Sequence, residues 1–588
     1  MSTRMGTPAR LVRPALVATV CALLAGCVRM PTEGPVEVPQ VTASAEDVPG
    51  ISFDPRPPRP GEPAADIVDG FLEAMKATPI RTTVARQFLS REAAETWVPE
   101  RQIITYAERG TPTGGPSPTI SMNDVNLYDA RGAWQRTLAT RDLDLGLVEE
   151  DGEWRIDEVP DALIVPDSWF DDWYQRASLY FFDPTSEVLV PEPVFVPRGE
   201  QSASSLVRGL VAQPSVESQD VLRTYFPPGT VLELSVPISS AGIAEVSLSG
   251  DPDAIDAETA RRMLAQLVWT LRQEPRISAV QLSVGGRAFS SPGGSTQVPL
   301  GFGGEYDLNG ERSTSQMYAL DQGRVVTGTI GAFEQTSGPL GADDYGVRSL
   351  AVSISGSQVA AVSASGTELL LAPTDVPDGE VVRAVDGAVD LAAPSWDHRD
   401  RVWVLARGAG RARIILVVEG AASLVEVPGL TGRTVTKLLV SRDGSRMVAV
   451  LRGKKKDKVV AARIRHDPAG AVLGFTPFQT LPLLAEGSPR IRDIAWRSPT
   501  SISVLRDITA GDITAGVIVR TISVDGAPGE IVTGGATRLR GRIRSLVSAP
   551  VDDSEAFAVA GRTVKSLTLP DRTVPALAEG ITSLTYAG

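Results

Sequence analysis

The chain has almost no cysteine, almost no histidine and no apolar run long enough to cross a bilayer. Its 588 residues hold two cysteines, Cys21 and Cys27, and two histidines, His398 and His466. Two histidines cannot build a multi-histidine metal site, and they make a histidine-based catalytic triad improbable on count alone. One lies in a predicted turn and the other near a strand end, and both read as exposed polar residues. The longest early apolar stretch, Pro14 to Leu24, has eleven residues, short of the roughly 20 that a spanning helix needs. Basic residues are also in deficit, with 57 Lys and Arg against 71 Asp and Glu and a formal charge of −14. Such an average repels nucleic acid and anionic lipid headgroups, and no nucleic-acid partner is expected.

What is present at the start of the chain is an export signal. Arg4, Arg10 and Arg13 precede the short apolar stretch, and Leu24-Ala25-Gly26-Cys27 follows it. This is a secretory leader that ends in a lipobox, so cleavage before Cys27 and lipidation of its thiol are expected. Cleavage removes three arginines and no acid, which takes the charge from −14 to −17. Cys21 leaves with the leader, so the mature chain has no intramolecular disulfide. One acyl chain binds a membrane only marginally, and a diacyl group on Cys27 is the physically sensible anchor. The expected location is the cell membrane, lipid-anchored, on its extracytoplasmic face.

Residues 27–63 read as the lipidated cysteine and a tether with nine prolines, which stays extended at about 3.1 Å per residue. From Ala64 helical spacing appears: Ile67, Val68, Phe71, Leu72 and Met75, then a second amphipathic segment from Val84 to Ala94. Strand-like runs follow at Ile120–Tyr128, Trp134–Thr140, Leu143–Val148 and Trp154–Val159. Helices followed by an antiparallel meander predict an α+β domain over 64–175, which resembles the NTF2-like cone.

A second α+β domain is expected over 176–300. It has a strand pair at 179–196, a helix around Leu206, Leu210 and Val211, and strands near Leu232–Val236 and Ile243–Leu248. A stronger helix at Ala257–Arg272 and a strand at Ala279–Val284 complete it. The order of its motifs, Tyr225-Phe226-Pro227-Pro228-Gly229-Thr230, then Gln266 to Leu271, then Val280 to Gly286, resembles the GerMN domain.

The remainder, 301–588, is strand-like and repetitive. Ser353 to Val362 aligns with Ser441 to Val450; Trp396 and Trp496 open further copies, Ser548 a looser one, and Ile581 another. Four strands in about 45 residues is the period of a propeller blade. Six blades are predicted, with five as the alternative. Strands from Met317 to Thr327 would complete the last copy and remove exposed sheet edges.

The chemical candidates are thin. Asp343-Asp344, Asp443 and Asp552-Asp553 lie beside glycine or in predicted turns, where aspartate shapes the backbone, although a paired-carboxylate hydrolase on the propeller stays open as a minor reading. Gly301 to Gly304 follows no clear strand and is read as an interdomain joint, not a phosphate cradle. Lys454-Lys455-Lys456-Asp457-Lys458 is expected at a hairpin tip, solvated or touching an acidic partner. No catalytic, cofactor-binding or metal-binding residue is assigned, and a non-enzyme is expected.

Leader, tether, α+β domain, GerMN-like domain and propeller, in that order, resemble the LpqB family of actinobacterial lipoproteins. The resemblance implies an accessory protein that binds the extracellular domain of a sensor histidine kinase in an MtrA–MtrB-type two-component system, modulating envelope homeostasis and division. A second reading is a binding protein for peptidoglycan or another wall glycan.

Overall fold

The computed structural model describes residues 52–113, 117–213, 220–310, 313–483, 490–510, 513–528, 536–551, 554–569 and 571–588. Residues 1–51, which hold Cys27 and the expected leader, and Asp552-Asp553 lie outside the described residues. Residues 48–588 form one compact unit.

The first domain opens with α1 (Ala64–Ala74), whose Ile67, Val68, Phe71 and Leu72 are buried as the helical stripe requires. The second amphipathic segment is not one helix. A 3-10 turn over Ala85–Phe88 is followed by α2 (Arg91–Thr96), because the Ser90 hydroxyl accepts from Ala93 N at 3.1 Å and restarts the chain as an N-cap. The sheet also differs from a simple meander. Its strand Gln102–Tyr106 lies between Thr119–Asp129, antiparallel, and Leu163–Pro166, parallel. The hairpin of Gly146–Glu150 and Glu153–Glu158 turns at Asp151-Gly152, both with positive φ, the geometry a tight hairpin turn favours. Helix α3 (Asp167–Trp173) leads out of the domain.

Residues 52–62 are not a free spacer. Phe53 bridges to Thr78, Gly61 N donates to Glu153 at 2.8 Å, and Pro55 is buried. This end of the proline-rich segment lies against the first domain.

In the second domain the strands Tyr174–Phe182 and Leu189–Pro197 form a hairpin. After α4 (Ser202–Val211), strand Ile243–Leu248 runs parallel to Ala279–Val284, and α5 (Ala257–Leu271) makes the crossover. Asp256 caps α5 by accepting from Thr259 N at 2.7 Å. The expected strand at Leu232–Val236 is reduced to an isolated bridge between Leu232 and Leu248. Val236 N instead donates to Ser204 Oγ of α4 at 2.9 Å, so a side chain takes a donor that a ladder would use.

The third region contains six sheets among the described residues. A short helix, α6 (Pro339–Ala342), links the first two sheets. The inner strand of the first sheet is Ile581–Tyr586, which pairs antiparallel with Met317–Asp321. The chain's last strand therefore joins the region's first strands and covers an edge that each would otherwise expose. The repeat frame has a physical basis. Trp396 and Trp496 each reach back to the preceding sheet, donating indole N–H to Ala351 O and Val440 O, both at 3.1 Å.

Candidate functional site

The sheets of the third region are antiparallel, so their turns alternate between two rims. One rim meets the second domain, and the polar residues gathered there form the best-defined site of the molecule. Glu192, on the second strand of the Tyr174–Pro197 hairpin, accepts from Arg446 at 2.7 Å and also from Arg463. Arg446 is 4% exposed, donates to Pro191 O at 2.6 Å and lies 3.5 Å from Asp443. Burial alone would raise the Asp443 pKa; Arg446, Ser441 and Ser445 outweigh it and hold the carboxyl below its ordinary range.

A second cluster joins the preceding blade-like sheet to the same one. Asp397 accepts from Arg401 Nε and Trp403 Nε1, each at 2.8 Å. Arg401 also contacts His466 Nε2 at 3.2 Å. The backbone N–H of His466 donates to Asp220 O of the second domain at 2.9 Å. Arg399 binds Glu187 at 2.6 Å, and the His398 ring lies 3.8 Å from the same carboxylate.

The two histidines are therefore not exposed turn residues. The His398 side chain is 7% exposed and His466 is 7% exposed. Both are covered because the second domain seats on the turns that carry them, which a reading of the repeat by itself could not include. Burial first, and then the Arg401 charge, push the His466 pKa down to about 4.

Beside the first cluster, with Asp443 in its wall, lies a cavity of about 60 Å³, lined among others by Tyr180, Trp269, Asn309 and Arg442. Arg442 donates to Asn309 Oδ1 at 2.7 Å and to Ala587 O. Burial pushes its pKa down to about 10. Two buried carboxylates at this rim, Asp397 and Asp443, are each engaged by an arginine in the arrangement of counter-ions. The hairpin of the second domain also reaches the third region from the side. Arg176 stacks over Phe195 at 4.7 Å and donates to Pro528 O at 2.5 Å.

Other sequence candidates have local duties. Asp344 Oδ1 accepts from Gly346 N at 2.8 Å and shapes its turn. Gly303 has φ 79°, and a Cβ there would lie 2.8 Å from Ala265 Cβ, so the Gly301–Gly304 segment packs on α5 as a joint. Lys454 to Lys456 lie in the turn between Arg446–Leu451 and Lys458–His466 and are exposed. No group of metal-ligating residues occurs among the described residues.

Sequence reasoning missed the arginines of the junction, although a signal existed. The frame Ser353-Ile354-Ser355-Gly356-Ser357-Gln358 recurs as Ser441-Arg442-Asp443-Gly444-Ser445-Arg446. Three charges enter an otherwise neutral turn in a copy that meets the second domain.

Comparison with known proteins follows the same three-part division. Residues 57–171 match the family model "Lipoprotein LpqB, N-terminal domain". Residues 178–289 match "Sporulation and spore germination", and residues 323–540 match "Lipoprotein LpqB beta-propeller domain". The chain belongs to the LpqB lipoprotein family. The LpqB lipoprotein of Streptomyces coelicolor is 28% identical over 535 residues, covering 84% of each chain. That of Thermobifida fusca is 27% identical over 583 residues, covering 88% of this chain and 91% of the other. Among solved structures, the first GerMN domain of the sporulation protein GerM from Bacillus subtilis is 22% identical, with a TM-score of 0.18 over 21% of this chain and 97% of that one. This LpqB-family chain is thus multidomain, with GerMN-like and β-propeller-like parts. Its relatives are named as lipoproteins, not as enzymes. No helix among the described residues is long and apolar enough to cross a membrane.

Proposed function

We propose that the protein is a non-catalytic lipoprotein, anchored through lipid on Cys27 at the extracytoplasmic face, that binds and modulates a sensor histidine kinase of the MtrA–MtrB type. The observation that carries this reading is the family match along three consecutive modules, together with the lipobox ahead of them. In this reading residues 64–175 are an NTF2-like domain, 176–300 a GerMN-like domain, and the six sheets of 301–588 are six propeller blades. The tightly bonded junction supports a body that presents fixed surfaces to a partner, since its buried charges are engaged within the chain.

The kinase reading is tested with residues 48–588 and the purified extracellular domain of the kinase. Retention in a pulldown at native salt is expected, and no detectable association refutes it. The anchor is tested separately. Cys27→Ala should release the body into the soluble fraction while its melting profile stays unchanged, and a variant that stays membrane-bound after leader cleavage refutes lipidation at Cys27.

A further inference from the structure

One sector of the rim away from the second domain has a charge opposite to the average of the chain. Turns between first and second strands, and between third and fourth, face the second domain, as the contacts of Arg446 and His466 show. Second-to-third turns and the links between sheets must then gather at the other rim. The chain confirms this by bonds that run along it. Arg490 donates to Gly453 O and Lys454 O, both at 2.9 Å. Arg492 donates to Ile543 O at 2.7 Å, and Lys565 Nζ lies 3.4 Å from Arg540 O. The loop 452–458 and the link 540–544 thus flank the start of one strand, Ile491–Ser498.

These two segments concentrate positive charge. Residues 454–458 hold four lysines and residues 538–544 hold four arginines, and all eight side chains are exposed. Among the described residues none of the eight forms an ion pair. The nearest acid in sequence, Asp457, is buried and already bound by Arg490 at 3.0 Å and Arg452 at 3.4 Å. Its charge is consumed in shaping the loop, which leaves the lysines in surplus. No large apolar side chain is exposed between residues 425 and 472 or between 540 and 568 among those described. Protein interfaces take their affinity from buried aromatic and apolar anchors. A set of cationic loop tips without such anchors fits an extended anionic plane instead.

We propose that this rim docks on the headgroups of an anionic phospholipid surface. Each cation near such a surface is attracted to it, and the attraction dies within a Debye length. The acidic remainder of the chain is repelled by the same surface, so the body approaches rim first. The inference does not depend on lipid at Cys27, and its test leaves the anchor out.

Residues 48–588, a compact unit of their own, are sedimented with vesicles of phosphatidylglycerol and phosphatidylcholine or of phosphatidylcholine alone. Binding to the anionic vesicles at least about tenfold tighter is expected at low salt, and it should fade as salt shortens the screening length. Lys454→Glu/Lys455→Glu/Lys456→Glu and, separately, Arg540→Glu/Arg542→Glu should each weaken it at least about tenfold. The control Arg56→Glu/Arg59→Glu/Arg136→Glu reverses three exposed charges on the first domain and should leave it close to wild type. Equal binding to both vesicle types overturns the proposal. So does equal weakening by the control, which would make net charge and not the rim responsible. Rim-dependent capture by polyglutamate without any binding to vesicles would assign the rim to an acidic polypeptide and also overturn it.

Discussion

Removing the Glu192 carboxylate should loosen the joint between the second and third domains. Glu192 is the anion shared by Arg446 and Arg463. Glu192→Ala leaves Arg446 with Asp443 at 3.5 Å and the Pro191 carbonyl, while Arg463 loses its only ion-pair partner among the described residues. Two guanidiniums are then held off solvent with one carboxylate between them. Breaking a fully buried pair costs about 3–5 kcal/mol. Glu192 and Arg463 each keep 21% of their side-chain surface exposed, so water recovers part of that loss and about 2–3 kcal/mol is expected. The assay is urea denaturation followed by tryptophan fluorescence, since Trp269 and Trp496 line the cavity beside this joint. The double variant Glu192→Leu/Arg463→Met removes both charges and should recover most of the loss, because no uncompensated cation remains. A shift for Glu192→Ala below about 0.5 kcal/mol, or a double variant weaker than the single one, would refute the claim that this pair holds the joint.

Two further perturbations follow from the same geometry. His466 has a folded-state pKa near 4 against an ordinary 6.5, so the unfolded chain binds the extra proton first. Its contribution is complete above pH 6.5 and is lost as the pH falls toward 4, by about 3 kcal/mol; His466→Gln should flatten that part of the denaturation profile, and an unchanged profile would refute it. Trp496→Phe orphans the Val440 carbonyl and should lower stability by about 1–2 kcal/mol in the same denaturation assay, whereas an unchanged midpoint would show that the indole bond contributes nothing.

The elements that the sequence revealed are those governed by local periodicity. Helix α5 was legible almost to the residue, because Met263, Leu264, Leu267 and Val268 keep one face apolar and Asp256 caps it. The repeat was legible because each copy must satisfy the same packing against the sheet before it. What stayed hidden depends on partners distant in sequence. The parallel strand Leu163–Pro166 is defined by its neighbour sixty residues earlier. The burial of His398 and His466 is imposed by a separate domain, and no pattern within the repeat carries that information. Net charge misled in a similar way. An average of −14 hides one sector of a rim where two exposed segments are cationic, because electrostatic docking depends on where charges stand more than on their sum.

The pairing of Ile581–Tyr586 with Met317–Asp321 also sets a timetable. The two strands are separated in sequence by all five other sheets, so the first sheet is finished only when residues 581–586 arrive. Until then Met317–Asp321 has an open edge and a large loop-closure entropy stands against completion. A chain synthesised from its N-terminal end presents the first two domains before residues 581–586, so those domains can fold while the third still waits for this strand. Maturation of this region is thereby coupled to delivery of a strand some 260 residues downstream of its partner, and that strand acts as the latch that records it.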